Sequence, residues 1–290
     1  MPSTPSSESD AVVIDDVTIR YRIVGDGPPV VFVHGVYVGG ALWDDVVGRL
    51  DRLRCVVPTW PLGAHRDPAP DADLSARATA RRIPAFLEQL DLHDVTLVGN
   101  DTGGGLCLAA LGSGTPGVER IGRLVLTNCD SYEHFPPKGF DRVAGTARRV
   151  PPLAAGLLRL FATTPGQRMF LKSVCTNPPT GDAARRVFEA FPDSKGARRD
   201  ALRVTQSLEP SVTLDAVDAL KAFPKPVLLA WGDADELFPL DHANRLVADF
   251  PDARLEVIAG SSTFVMLDRP DELAAAISSF VAGSTSGNEQ

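Results

Sequence analysis

Residues 95–111 combine features that together allow few folds. Four residues with strand character, 95–98, run into a glycine-rich turn, and the apolar residues 106–111 have helical character. A strand that passes directly into a helix needs a sharp turn, and Gly99 and Gly103 supply the space for it. Asp101 stands at the centre of this turn. Its carboxylate is either an ordinary solvated turn side chain or a group raised above the end of a sheet.

Apolar runs and helical patterns alternate along most of the chain. Strand patterns lie at 17–24, 30–33, 55–57, 95–98, 124–127, 226–231 and 254–258, and helical patterns at 41–53, 74–90, 242–250 and 270–280. Ser75 is the expected N-cap of the second helix. Strands that alternate with helices at this spacing form parallel βαβ units. The sequence therefore predicts the α/β class, with a mostly parallel central sheet flanked by helices.

Between residues 131 and 217 this alternation stops. The segment has no strong strand pattern, is rich in Pro and Arg, and contains helix-like pieces at 153–161, 183–191 and 198–208. A helical insertion in an α/β sheet covers the site at the carboxyl ends of the strands. We predict a helical cap at 131–217, a core built from 12–130 and 218–282, and loose tails at 1–10 and 283–290. The residues expected on the underside of the cap are Leu153, Leu157, Leu158, Phe161 and Phe170.

Composition narrows the choice of partners. The 290 residues are 44% hydrophobic, but no apolar run approaches the roughly 20 residues of a membrane span, and the polar start lacks an export-signal pattern. A formal charge of −8 disfavours nucleic acid as a partner. The four cysteines lack metal-ligand spacing. We expect a cytoplasmic protein that acts on a small molecule, with no metal, no cofactor, no nucleic acid and no membrane, while a homodimer stays open.

Taken together, these residues resemble the α/β-hydrolase superfamily over about 12–281. The resemblance rests on the His34-Gly35 turn after a strand, the turn at Asp101, the helical cap, the Trp231-to-Pro239 segment with Asp235, and the loop 260–270 before the last helix. A carboxylate at the turn is similar to the branch of haloalkane dehalogenases, fluoroacetate dehalogenases and epoxide hydrolases. The resemblance implies the α/β-hydrolase fold, with Asp101 as nucleophile.

The resemblance also implies roles for other residues. The backbone N–H groups of Val36 and Thr102 would form the oxyanion hole. Asp235, four residues after Trp231, would be the catalytic acid. The residues expected around the substrate are His34, Tyr37, Tyr132, His134, Thr263 and Phe264.

The sequence departs from the family at the catalytic base. The family's histidine lies in the loop after the last strand, just before a Phe. Here residues 260–264 read Gly-Ser-Ser-Thr-Phe, so Thr263 holds that position, and no histidine follows His242. A hydroxyl cannot take a proton from water near neutral pH as an imidazole can. An ester on Asp101 would therefore lack its usual hydrolysing base.

The markers of the three subclasses are missing as well. The residue after the elbow carboxylate is Thr102, where the resemblance implies Trp in haloalkane dehalogenases and Arg in fluoroacetate dehalogenases. Epoxide hydrolases use two cap tyrosines, and of Tyr21, Tyr37 and Tyr132 at most Tyr132 belongs to the cap. The resemblance therefore favours no single subclass.

Other side chains are candidates for the missing base. His65 follows strand 55–57 at the functional end of the sheet, and His134 opens the cap. Asp130, after strand 124–127, competes with Asp235 for the role of the acid. Three converging carboxylates would repel one another, which raises the pKa of one of them and leaves a proton donor beside a base.

Two classes of function fit this sequence. The first is an enzyme that acts through Asp101 on a small to medium, largely apolar substrate, with atypical chemistry because Thr263 replaces the histidine. Within this class, an ordinary dehalogenase or epoxide hydrolase with a relocated histidine, and a lyase- or isomerase-type proton transfer, remain alternatives. The second is a ligand-binding member of the fold without catalysis, since fold alone does not prove function.

Overall fold

An eight-stranded sheet forms the centre of the protein. The computed structural model describes residues 9–285. The strands are β1 (Asp10–Ile14), β2 (Val17–Val24), β3 (Pro29–Val33), β4 (Arg54–Thr59), β5 (Val95–Asp101), β6 (Ile121–Cys129), β7 (Val227–Gly232) and β8 (Ala253–Ile258). Their order across the sheet is β1-β2-β4-β3-β5-β6-β7-β8. The pairs β1/β2 and β2/β4 are antiparallel, and the five remaining pairs are parallel.

Helices connect the strands, and five of them lie between β6 and the short helices that precede β7. They are α1 (Asp44–Val47), α2 (Ala76–Gln89), α3 (Thr102–Leu111), α4 (Phe140–Arg149), α5 (Pro151–Phe161), α6 (Thr164–Val174), α7 (Gly181–Val187), α8 (Lys195–Ser207), α9 (Ser211–Leu214), α10 (Val217–Ala222), α11 (Leu240–Asp249), α12 (Val265–Asp268) and α13 (Pro270–Thr285). A short 3₁₀ turn, Gly40–Trp43, precedes α1, and another, Val118–Arg120, precedes β6.

The apolar runs of the sequence become the central strands. Every residue of β6 and β7 is buried, as are all of β5 except Asp101 and all of β3 except Pro29. A strand covered by helices on both faces is apolar without alternation. The Ser75 side chain accepts a hydrogen bond from Ala78 N and caps α2. The predicted fold class, a mostly parallel sheet flanked by helices, is confirmed.

Several predicted bounds are wrong. The pattern at 41–53 gives only a 3₁₀ turn and the four-residue α1, because the helix ends at Gly48 and glycine is a poor helix former. The predicted tails were drawn too long on both sides. Asp10 already pairs with Tyr21 in the sheet, and α13 continues to Thr285. Residues 1–8 and 286–290 of those tails lie outside the described residues.

The helical segment contains more helix than the sequence predicts. Helices α4 and α6 carry no matching prediction, since Pro, Gly and Arg interrupt their apolar periodicity. One side chain expected on the underside is misplaced: Leu153 is 63% exposed and faces away from the core. Phe161 and Phe170 do face inward, with ring centroids 6.2 and 6.4 Å from that of Tyr37. The apolar pattern at 153–161 predicted helix α5 correctly but did not predict which side of the helix is buried.

Replacing Gly103 should test how closely α3 packs on β3. A Cβ there would lie 2.4 Å from Val33 O and 2.5 Å from His34 O. Because backbone atoms cannot move aside, we expect Gly103→Ala to lower the free energy of unfolding by about 1–3 kcal/mol. Gly156→Ala is the matched control, since a Cβ on this α5 residue meets nothing within 4 Å. Gly156→Ala should raise the free energy of unfolding, measured with urea, by about 0.5–1 kcal/mol. Equal losses of stability in the two variants would contradict this account.

Candidate active site

A strained turn holds Asp101 at the carboxyl end of β5. Its φ is 52° and its ψ is −134°, values that residues with a side chain rarely adopt. Thr102 begins α3 directly afterwards. The turn depends on close backbone contact, because a Cβ on Gly99 would lie 2.7 Å from Gly104 Cα. This is the geometry of a nucleophile elbow, in which one side chain stands above the sheet.

The Asp101 carboxylate lies against the turn that follows β3. A Cβ on Gly35 would lie 2.0 Å from Asp101 Oδ2, so only glycine leaves room for the carboxylate. The next residue, Val36, is buried, and its N–H donates to no acceptor within residues 9–285. The backbone N–H of Thr102 faces the Asp101 side chain. The two backbone donors predicted for an oxyanion hole thus lie on the two turns that meet at Asp101.

The Asp101 carboxyl titrates near neutral pH. Burial raises its pKa to about 7, the charge of Asp235 acts in the same direction, and the Thr102 N–H opposes both. Protonated and ionised forms are therefore both populated around pH 7. A carboxyl in this range can accept and release protons in turn.

Asp235 is the centre of a hydrogen-bond network after β7. Its Oδ1 accepts from Leu237 N at 2.8 Å and Phe238 N at 3.2 Å. Its Oδ2 accepts from Asn128 Nδ2 at 2.8 Å and from Thr263 Oγ1 at 3.0 Å. Burial raises the pKa of Asp235, and these hydrogen bonds oppose that rise. The Thr263 side chain therefore lies directly beside Asp235, with its hydroxyl hydrogen directed to that carboxylate.

Two asparagines that the sequence analysis missed hold this network in place. Asn100 Nδ2 donates to the backbone oxygen of Thr263 at 2.7 Å and so ties the loop to β5. Asn128 Oδ1 accepts from Gly232 N at 2.7 Å, while its Nδ2 donates to Asp235. Both are fully buried at the carboxyl ends of apolar strands. Both asparagines could have been identified from the sequence, because each is a polar side chain at the end of an apolar strand.

Asp130 follows β6 and is fully buried beside Asp101. Its backbone N–H donates to Asp101 O at 3.3 Å. Neither carboxyl oxygen has a hydrogen-bond partner among residues 9–285. Burial first, and the charge of Asp101 second, raise the pKa of Asp130 well above its usual range, while the nearby Thr102 hydroxyl opposes this rise. Burial therefore favours the protonated form of Asp130.

His34 is a structural residue of the β3 turn. Its Nδ1 lies 2.8 Å from Gly35 O and its Nε2 accepts from Trp60 N at 2.9 Å. This pairing places the proton on Nδ1, since a carbonyl oxygen only accepts. Burial lowers the pKa of His34 to about 4, so the ring is neutral. With both nitrogens engaged, the ring has no free nitrogen for the substrate contact predicted for it.

His65 joins the core to α8. Its Nε2 lies 3.2 Å from Asp200 Oδ2, and its Nδ1 accepts from Gly63 N at 3.3 Å. Asp200 also accepts from Ala69 N at 2.8 Å. Although burial disfavours its charged form, these hydrogen bonds hold the pKa of Asp200 below its usual value. The structure places this candidate base in a buried pair with Asp200 rather than beside Asp101.

His134 and Tyr132 pack on α11. The His134 and His242 rings stack with centroids 4.2 Å apart. The Tyr132 hydroxyl donates to Asp249 at 2.8 Å, and its ring lies under the Arg245 guanidinium. In the described part of the chain, no histidine hydrogen-bonds to Asp101, Asp130 or Asp235. Within residues 9–285, carboxylates, a hydroxyl and two amides make up this hydrogen-bond network, and no imidazole joins it.

Aromatic rings cover this polar group from the cap side. The fully buried Tyr37 ring lies near four phenylalanines, at centroid distances from 5.5 to 6.4 Å: Phe140, Phe161, Phe170 and Phe191. Its hydroxyl is 2.7 Å from Thr205 Oγ1 on α8, and the charge of Asp101 helps to raise its pKa. Phe264 is buried against Phe170, and its N–H donates to Val174 O at 2.8 Å. Any ligand near Asp101 therefore meets mostly apolar surface.

The known proteins that this chain resembles belong to a family with the fold described above. Residues 28–270 match the alpha/beta hydrolase fold family, and the chain belongs to it. Haloalkane dehalogenase 2 of Mycobacterium tuberculosis is 28% identical over 271 residues, covering 89% of this chain and 90% of that protein. A 2-hydroxy-6-oxononadienedioate/2-hydroxy-6-oxononatrienedioate hydrolase of Cupriavidus pinatubonensis is 26% identical over 272 residues, covering 88% of each chain.

Solved structures show the same fold. A haloalkane dehalogenase of Bradyrhizobium elkani superposes with a TM-score of 0.80 at 16% identity, covering 97% of this chain and 99% of its own. The family and the named relatives support an enzyme of the hydrolase class. Within residues 9–285, no helix is long and apolar enough to cross a membrane.

The raised pKa of Asp101 should appear in the pH dependence of stability. Because the folded state keeps this proton up to about pH 7 and the unfolded state releases it near pH 4, Asp101 lowers stability as pH rises between these values. Asp101→Asn should therefore stabilise the protein at pH 8, by roughly 1–4 kcal/mol, and have little effect at pH 4. Urea unfolding across this range measures it. Asp218→Asn, an exposed carboxylate on α10, is the control; an Asp101→Asn effect independent of pH would contradict the assignment.

Proposed function

We propose that the protein is a hydrolase-fold enzyme that acts on a small to medium, largely apolar substrate through Asp101, with carboxylates moving the proton. The observation that carries this proposal is the Asp101 pKa of about 7 in a buried elbow whose carboxylate accepts no hydrogen bond from a histidine among residues 9–285. A general base is most effective when its pKa lies near the working pH. Asp101 therefore takes a proton from the substrate in its ionised form and returns it in its protonated form.

The other two carboxyl groups, Asp235 and Asp130, affect proton transfer at Asp101 in different ways. Asp235 is held by four hydrogen bonds, and its negative charge raises the proton affinity of Asp101. Neither Asp130 oxygen has a partner among residues 9–285, and burial together with the charge of Asp101 favours its protonated form. A neutral acid beside a titrating base is the arrangement that lets a site donate one proton and accept another.

Substrate size and polarity follow from the surroundings of Asp101. Tyr37 and the four phenylalanines around it form the cap side, and the Tyr37 hydroxyl is already paired with Thr205. Few polar groups remain to bind a charged or highly hydroxylated molecule. The backbone N–H groups of Val36 and Thr102 are the donors for a developing negative charge on the substrate.

A second candidate function is nucleophilic attack by Asp101 on a carbon–halogen bond. The elbow geometry and the relatives named haloalkane dehalogenases favour it. The attack would displace halide and leave an ester on Asp101. Without an imidazole beside Asp235, water would hydrolyse this ester slowly. The two candidates thus differ in a measurable way, since only the second leaves a covalent adduct.

The proton-transfer function can be tested with 5-nitrobenzisoxazole, an apolar probe whose ring opens when a base removes one proton. The rate should rise with pH to a plateau above about 7, because only ionised Asp101 is a base. Asp101→Asn should lose about 10²–10⁴-fold. Asp235→Asn should move the midpoint to lower pH, since it removes a charge that raises the pKa of Asp101. Asp218→Asn should change neither the rate nor the midpoint.

The nucleophilic function is tested by mass spectrometry after incubation with 1-bromohexane. An alkyl adduct on Asp101, absent in Asp101→Asn, would favour this second function. Thr263→His should then speed halide release by about 10²–10⁴-fold, because Asp235 already lies where it can orient an imidazole. Thr263→Val is the control that removes the hydroxyl without adding a base. If His65→Ala abolishes turnover at unchanged stability, a relocated histidine base is the correct account. If neither probe reacts, neither candidate function is supported, which favours the non-catalytic ligand-binding alternative.

A further inference from the structure

The outer face of α5 presents apolar side chains to solvent. Leu153 and Leu160, seven residues apart, lie on one side of α5, and Val150 directly precedes the helix. Val150 is 49% exposed, Leu153 63% and Leu160 48%, and Met169 on the adjoining α6 is 50% exposed. Scattered exposed apolar residues are ordinary, but an aligned set on one face indicates an interaction surface. We call Val150, Leu153, Leu160 and Met169 the cap stripe.

Cationic residues are concentrated in the segment that carries the cap stripe. Residues 138–174 contain seven Lys or Arg side chains and a single acidic one, Asp141, in a chain whose formal net charge is −8. All seven cationic residues are exposed: Lys138, Arg142, Arg148, Arg149, Arg159, Arg168 and Lys172. None of them forms an ion pair within residues 9–285. An acidic protein thus carries one strongly basic segment, and the exposed apolar side chains lie in the same segment.

We propose that the cap stripe and its cations bind the surface of an anionic lipid membrane. Aliphatic side chains enter the boundary between headgroups and acyl chains, while Lys and Arg pair with the lipid phosphates. A second copy of this chain fits less well, since two faces of the same positive charge would repel each other. Nucleic acid would use the cations but leave the aliphatic stripe in water. The combination therefore favours a lipid surface.

The same two helices also line the candidate active site. Phe161 at the end of α5 and Phe170 on α6 approach Tyr37, whose pKa responds to Asp101. The end of α6 accepts a hydrogen bond from Phe264, next to Thr263. The lipid-facing and site-facing sides are thus one helix layer apart, roughly 10 Å. An apolar substrate dissolved in the membrane would meet the protein at its cap.

This proposal differs from the sequence-based expectation that no membrane is a partner. That expectation rested on the lack of an apolar run long enough to span a bilayer. Binding in the interface plane requires no such run, only an amphipathic helix with cations. The membrane contact would therefore be peripheral, and it does not depend on the chemistry proposed for Asp101.

Vesicle sedimentation with the full chain tests the proposal. We expect binding to vesicles of phosphatidylcholine with 30% phosphatidylglycerol at low salt, and weak binding to pure phosphatidylcholine. Salt at about 0.5 M should weaken binding, because the charges are exposed. Arg149→Gln/Arg159→Gln/Arg168→Gln should weaken partitioning by about 100-fold, since each cation contributes roughly fivefold. Leu153→Glu/Leu160→Glu should abolish binding.

Matched variants separate this surface from a general loss of structure. Val13 is 59% and Val257 48% exposed on strands far from the cap stripe in sequence. Val13→Glu and Val257→Glu should keep vesicle binding, and all variants should unfold at similar temperatures. Equal binding of the wild type and the Leu153→Glu/Leu160→Glu variant would overturn the proposal. Absence of binding to anionic vesicles, or a dimer in ultracentrifugation that Leu153→Glu/Leu160→Glu dissociates, would overturn it as well.

Discussion

The contact between the Asp101 carboxylate and Gly35 determines much of this structure. The carboxylate occupies the volume that any side chain at position 35 would fill. For it to reach that point, β5 must end in a residue with positive φ, and α3 must start at once. The glycines on either side allow the close approach of strand and helix. Local strain of this kind persists only where the surrounding packing fixes it, and here the fully buried strands β3 and β6 lie on both sides.

The pKa values of the carboxyl groups at the site depend on this geometry. Three carboxyl groups lie at or within three residues of the ends of neighbouring parallel strands, and burial raises the pKa of each: Asp101, Asp130 and Asp235. They differ in hydrogen bonding: Asp235 has four donors, Asp101 has the Thr102 N–H, and Asp130 has none. Hydrogen-bond donors oppose the rise in pKa that burial causes, so the three groups differ in how strongly that rise is opposed. Three chemically identical side chains thereby differ in how readily each gives up its proton.

The sequence predicted best what depends on local pattern. Continuous apolar runs identified the parallel strands, and glycine spacing identified the elbow at Asp101. It predicted less well what depends on tertiary contacts. The exposure of Leu153 depends on which side of α5 packs on the core, and the helical period alone cannot show that. The pairing of His65 with Asp200 joins residues 135 positions apart, so position on a loop gave no indication of it. The Asp130 carboxyl is unpaired because no hydrogen-bond partner among residues 9–285 reaches it, and a sequence does not reveal this.

The loop that carries Thr263 is fixed by its backbone rather than by its side chain. Asn100 binds the carbonyl oxygen of Thr263, and the next N–H binds the end of α6. The side chain at 263 can therefore be exchanged without moving the peptide that bears it, while Asp235 stays oriented by Asn128 and two backbone donors. One substitution at position 263, Thr263→His, therefore replaces the hydroxyl beside Asp235 with an imidazole. Divergence between reaction types on this scaffold needs no remodelling of the fold.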